Sequence, residues 1–96
     1  MRESKFQSNL VKELKLLFPG SYVLKLDPTN HRGIPDLLIL FGKKWATLEC
    51  KESSKASHRP GQDRNVEVMN DMSYSSFIYP ENKEKVLNDL QELFRA

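Results

Sequence analysis

GIPDLLILFGKKWATLECK, residues 33–51, reads as a β-hairpin. Asp36–Phe41 is a near-continuous apolar run, the pattern of a strand covered on both faces. Gly42-Lys43-Lys44 is short enough for a tight connection, and Trp45–Lys51 returns as the next strand. On that strand Glu49 and Lys51 stand two positions apart, so the period-two alternation turns both to one face and sends Leu48 and Cys50 to the other. The hairpin carries Asp36 back beside the end of the returning strand. Two carboxylates and an ammonium therefore converge where the strands open into the polar loop Pro28–Gly33.

Working outward, Phe6, Leu10, Leu14, Leu17 and Phe18 recur at spacings of three and four and predict an amphipathic helix, with Lys5, Ser8, Lys12 and Lys15 on its other side. Pro19-Gly20 stops it. Ser21–Asp27 alternates, with Tyr22, Leu24 and Leu26 on one side of a first strand. On the C-terminal side, Glu52–Arg59 is polar and serine-rich, as expected of a mobile loop. Pro60 suits the first turn of a helix to about Met72, with Val66 and Met69 as core contacts. Ser73–Tyr79 predicts a short strand, and Pro80 the start of a last helix with the stripe Val86, Leu87, Leu90, Leu93 and Phe94.

The expected order is thus α-β-β-β-α-β-α, an α+β (α/β) domain with a mixed central sheet flanked by helices. The segment around 60–72 is the crossover of one parallel strand pair in an otherwise antiparallel meander. With 96 residues the chain is one domain, 1–96. Hydrophobic residues make up 39% and charged ones 29%, which excludes a disordered or collagen-like chain. The longest mainly apolar run, Ile34–Phe41, is far short of the roughly 20 residues of a membrane span. A polar N-terminus and a single cysteine, Cys50, give no sign of export or of a disulfide framework, so the expected compartment is the reducing cytoplasm. Net charge is only +2, but residues 43–64 carry six Lys/Arg against three acids, whereas 65–96 carry three against six. Such asymmetry marks a candidate anion-binding face or a merely solvated one.

The converging charges point to chemistry. Burying three of them costs several kcal/mol each unless they pair or bind a metal. Carboxylate oxygens such as those of Asp36 and Glu49 suit a hard divalent cation of the Mg²⁺ kind, with Mn²⁺ able to substitute. Lys51 is placed to orient or deprotonate a water and to offset charge developing on a phosphorane.

The arrangement resembles the PD-(D/E)XK nuclease superfamily: Pro35-Asp36 corresponds to the PD half, and Glu49-Cys50-Lys51, 13 residues on, to the ExK half. More narrowly, Gly33-Ile34-Pro35-Asp36-Leu37, Glu49-Cys50-Lys51 and Gln62 look like the VRR-NUC family of replication and repair nucleases. The likeness covers the chain from Glu3 to about Tyr79; the last helix carries no motif. The resemblance implies a restriction-endonuclease-like core and metal ligation by Asp36, Glu49 and the Cys50 backbone carbonyl. It also implies Lys51 as the catalytic lysine, Glu3 completing or adjusting the metal site, and Gln62 close to metal and scissile phosphate. Cys50 stands where relatives more often have an aliphatic residue. Small stand-alone members of phage type act as dimers on branched DNA, including four-way (Holliday) junctions. A Mg²⁺-dependent DNA endonuclease that acts as a homodimer, without an organic cofactor or membrane partner, is therefore the leading expectation, in a bacterial host's cytoplasm if phage-encoded. Competing readings are a duplex- or flap-cutting restriction, homing or repair enzyme, a catalytically silent DNA-binding module, and an interaction protein using its last helix.

Candidate DNA contacts are His31 and Arg32 in the first loop and Lys44, Lys55, His58 and Arg59 in the basic segment. His31 has no partner histidine at metal-ligand spacing, so phosphate contact is the preferred role.

Overall fold

The periodicities of the sequence translate into seven elements: α1 (Glu3–Leu17), β1 (Tyr22–Lys25), β2 (Leu37–Phe41), β3 (Lys44–Cys50), α2 (Gln62–Met72), β4 (Ser75–Ile78) and α3 (Lys83–Arg95). The structure, a computed structural model, describes residues 2–95. The sheet order is β1-β2-β3-β4. The first two pairings are antiparallel and β3–β4 is parallel, so α2 is the crossover the order of elements predicts.

One face of the sheet holds the apolar core. Phe6, Leu10 and Leu14 of α1 and Val86, Leu87, Leu90 and Phe94 of α3 close over Leu37, Ile39, Ala46, Leu48, Cys50 and Ile78. Each fully buried aliphatic side chain contributes roughly 1.5–3 kcal/mol through the water it excludes. Phe18, Phe41 and Phe94 finish one end of this core with edge-to-face or tilted contacts, ring centroids 5.1–5.9 Å apart. Leu17, assigned to the α1 stripe, is exposed: Phe18 follows Leu14 at the four-residue spacing and takes the buried place.

The opposite face is covered only over β3 and β4. A helix about 10 Å across spans about two strands spaced about 4.8 Å apart. Here α2 packs on β3 and β4 and leaves the β1–β2 half uncovered. The expectation that β2 is enclosed on both sides is therefore corrected: Leu37 and Ile39 are buried, but Leu40 on the other face is exposed, as are Tyr22 and Leu24 beside it.

Both helix starts following a proline fall later than expected. Gly61 has φ +88°, outside the helical region, so α2 begins at Gln62 and excludes Pro60. Asn82 turns its side chain back, accepting from Tyr79 N–H and donating to the Phe77 carbonyl, and α3 begins just after it. The 52–59 loop is tied down. Ser54 donates to Glu81, and the His58 ring stacks on Phe77 with centroids 4.0 Å apart.

Candidate active site

The register of β2 against β3 pairs Leu37 with Leu48, so the next step outward sets Asp36 opposite Glu49. Asp36 Oδ2 accepts a hydrogen bond from the Cys50 N–H at 2.9 Å, which fixes the carboxylate against the end of β3. Glu49 and Lys51 lie on the α2 side as alternation requires, while Cys50 points into the main core.

Gln62, the first residue of α2, joins these groups. Its Nε2 donates to Glu49 Oε2 at 2.9 Å, and its Oε1 accepts from Lys51 Nζ at 2.8 Å and from the Arg59 N–H at 2.9 Å. Lys51 Nζ lies 3.9 Å from Glu49 Oε2, so the amide bridges the pair more closely than the two charges approach each other. Glu49, Lys51 and Gln62 are 3%, 4% and 6% exposed, so each relies on the others for most of its hydrogen bonding.

Burial first, and then the neighbouring Asp36 carboxylate, push the Glu49 carboxyl up to about 8; Lys51 opposes that rise and Glu3 adds weakly to it. The Cys50 thiol is raised too, first by burial and then by the adjacent carboxylates, which makes it an inert core side chain.

These groups form the floor of a cleft of about 310 Å³ lined also by Glu3, Pro28, Arg32, Gly33, Ile34, Arg59 and Pro60. Glu3 thus stands on the wall, at the first turn of α1. Among the described residues no three Asp, Glu, His or Cys side chains gather tightly enough to hold an ion alone. Asp36 and Glu49, side by side, nevertheless fit a hard divalent cation. Glu49 Oε1 is buried without a hydrogen-bond partner, and a positive ion between two repelling carboxylates relieves both penalties.

The expected DNA contacts separate. Arg32 and Arg59 line the cleft. His31 is exposed beside it, its Nε2 turned to Asn65 Oδ1 at 3.3 Å. His58 is engaged with Phe77 and with Asp63, whose Oδ1 lies 2.6 Å from its Nδ1. Lys55 is exposed on the loop. Lys44 is not brought to the site: it opens β3, about 20 Å of strand from Cys50 at the strand's rise per residue. There its Nζ donates to the Leu93 carbonyl at 2.7 Å, near the C-terminal end of α3. Asn65 escaped the reading of the sequence. The signal available was its i+3 spacing from Gln62, which sets both on one side of α2.

Comparison with family models, with curated proteins and with solved structures found no match to this chain. No helix among the described residues is long and apolar enough to cross a membrane.

Proposed function

We propose that the chain is a Mg²⁺-dependent endodeoxyribonuclease that hydrolyses phosphodiester bonds in branched DNA, four-way junctions above all, with Mn²⁺ able to replace Mg²⁺. The observation that carries this reading is the buried Glu49–Lys51 pair, cross-linked by Gln62, with half-buried Asp36 beside it, open to a cleft with Arg32 and Arg59 on its walls. A purely structural domain gains nothing from holding a carboxylate and an ammonium out of water beside a second carboxylate, since such groups cost more buried than an apolar replacement would.

Asp36 and Glu49 would hold the cation, with the Cys50 carbonyl and Glu3 as further oxygen donors. Bound there, a hard divalent cation supplies charge neutralisation and polarisation at the phosphate. The chain's own groups do the rest. Lys51 is a three-donor ammonium with one donor committed to Gln62, leaving others for an attacking water or a developing phosphorane charge. Arg32 and Arg59 offer paired N–H groups to the flanking phosphates.

Symmetric cutting of a junction calls for two active sites, hence a homodimer. The uncovered β1–β2 face, with Tyr22, Leu24 and Leu40 exposed, is the apolar surface that such a pair would bury. Solution mass at micromolar concentration tests it. The expected compartment, the cytoplasm, is where a chain with one buried free thiol and an intracellular DNA substrate would work.

The deciding experiment compares a labelled four-way junction, a linear duplex and a flap of equal arm sequence, with and without Mg²⁺, for the native chain, Asp36→Asn and Lys51→Ala. Metal-dependent, symmetric nicks on the junction, lost in both variants, are expected. Cutting of the duplex or flap instead keeps the chemistry and replaces the substrate. Tight metal-independent DNA binding without cleavage overturns the enzyme reading in favour of a binding module.

A further inference from the structure

The site is assembled from two separate stretches of chain. Asp36 arrives by way of the loop that follows β1; Gln62, with Arg59 just before it, arrives at the start of α2. Within the loop the hydrogen bonds are local: Thr29 to Asp27, His31 N–H to the Pro28 carbonyl and Ile34 N–H to the His31 carbonyl. Among the described residues, the hydrogen bonds that cross from this loop to α2 both end on Asn65. Its Nδ2 donates to the Arg32 carbonyl at 2.9 Å, and its Oδ1 faces His31 Nε2 at 3.3 Å.

Backbone contact accompanies the bond. A Cβ at Gly33 would stand 2.7 Å from the Gly61 carbonyl carbon and 3.0 Å from both Asn65 Nδ2 and Gln62 N. The loop and the start of α2 therefore meet main chain on main chain, and Asn65 pins the junction from one side. Arg32, whose own carbonyl is the pinned group, and Arg59, two residues before Gly61, both line the cleft.

We infer that Asn65 is a positioning residue that holds Arg32 in register with Arg59, and so sets where the phosphate backbone lies over Asp36, Glu49 and Lys51. This rests on the nuclease reading above. Asn65 acts through Arg32 and not through the carboxylates. Asp36 has its own ties, its Oδ2 to the Cys50 N–H and its carbonyl to the Leu26 N–H at 2.8 Å. Asn65 also leaves the Gln62 bridge untouched, since all its partners lie in the loop and the helix backbone.

A specific pattern is expected. Losing the Arg32 tie weakens DNA binding and leaves the chemical step and metal affinity in place. The test uses the full chain and a labelled four-way junction. Cleavage by the native chain in Mg²⁺ is measured first, because its absence on every DNA tried would remove the nuclease reading itself. Asn65→Ala, Asn65→Asp, Arg32→Ala and the Asn65→Ala/Arg32→Ala double variant follow, each checked for cooperative urea unfolding at the assay temperature. Asn65→Asp keeps the size and an acceptor toward His31 but cannot donate to the Arg32 carbonyl.

Both Asn65 variants should raise KM for DNA about tenfold, the worth of one well-placed hydrogen bond. They should leave kcat and the Mg²⁺ half-saturation within about twofold and lower the salt slope of binding by up to one phosphate contact. The double variant should bind no more weakly than Arg32→Ala alone, because residues acting through one another are not additive. Three results overturn the inference: KM unchanged in the folded Asn65 variants, a kcat loss at constant KM, or losses that sum in the double variant. If Asn65→Ala fails to fold, Asn65→Asp with Arg32→Ala completes the same cycle.

Discussion

Lys51 Nζ donates to Gln62 Oε1 at 2.8 Å, and both side chains are buried. The same amide donates to Glu49 Oε2, so one neutral side chain satisfies an ammonium and a carboxylate at once. Gln62→Ala leaves each of them short of a protein partner at the narrow floor of the cleft. A stability loss of about 2–6 kcal/mol is expected, one to three for each of the two orphaned groups. Cleavage should fall at least a hundredfold as Lys51 loses its fixed position. Urea unfolding and single-turnover cleavage check the two effects separately; a variant as stable and as active as the native chain would remove Gln62 from the site.

Glu49 titrates near 8 in the metal-free protein against an ordinary value of 4.5. Between those two values the native chain keeps a proton that the unfolded chain has released. The unfolded state then binds fewer protons, so this group's contribution to stability falls as pH rises from about 5 through about 8. Glu49→Gln should abolish that slope, seen as a native-minus-variant difference in urea unfolding in EDTA across pH 5–9. A difference that stays flat across that range contradicts the assignment.

On the proposed reading, a Mg²⁺ ion taken up by Asp36 and Glu49 would displace the same proton. Its affinity should therefore climb with pH up to about 8 and level off above, with up to one proton released per ion at pH 7. Calorimetric titration in two buffers of different ionisation enthalpy reads the proton directly.

Gly33 and Gly20 both hold positive φ, +78° and +90°, but only Gly33 is enclosed. A Cβ at Gly20 meets nothing within 4 Å, whereas at Gly33 it strikes the Gly61 backbone at 2.7 Å. Gly20→Ala should cost about 1 kcal/mol, the price of a left-handed conformation alone. Gly33→Ala should cost more than twice that and should also weaken DNA cleavage, because relief of the clash parts the loop from α2. Equal stability losses would mean that the close approach is not maintained in solution.

Lys44 sits at the other end of β3 from the carboxylates and caps α3 through the Leu93 carbonyl. Lys44→Ala should lower stability by about 0.5–1 kcal/mol through the helix C-terminus and leave DNA affinity unchanged. Arg59→Ala should do the reverse, weakening DNA binding several-fold with little change in stability. Filter binding at two salt concentrations and thermal unfolding separate the pair.

The amino-acid sequence by itself determined what depends on neighbours along the chain. The three-and-four spacing of Phe6, Leu10 and Leu14 made a helix, and Gly42-Lys43-Lys44 made a hairpin. Alternation put Glu49 and Lys51 together and sent Cys50 to the core. The hairpin brought Asp36 beside the end of that strand; that it stands opposite Glu49 follows from the observed register, in which Lys44 already pairs with Phe41. Tertiary structure alone decided the rest, because it turns on where segments distant in sequence come to lie. How far α2 reaches across the sheet decides that Leu40 is exposed while Ile39 is buried. The meeting of Gly33 with Gly61 decides that α2 starts at Gln62 and that Asn65 finds the Arg32 carbonyl. The end of α3 decides that Lys44 serves a helix and not the cleft. Local periodicity records which face a side chain takes; the partner it meets there is set by the packing of the whole chain.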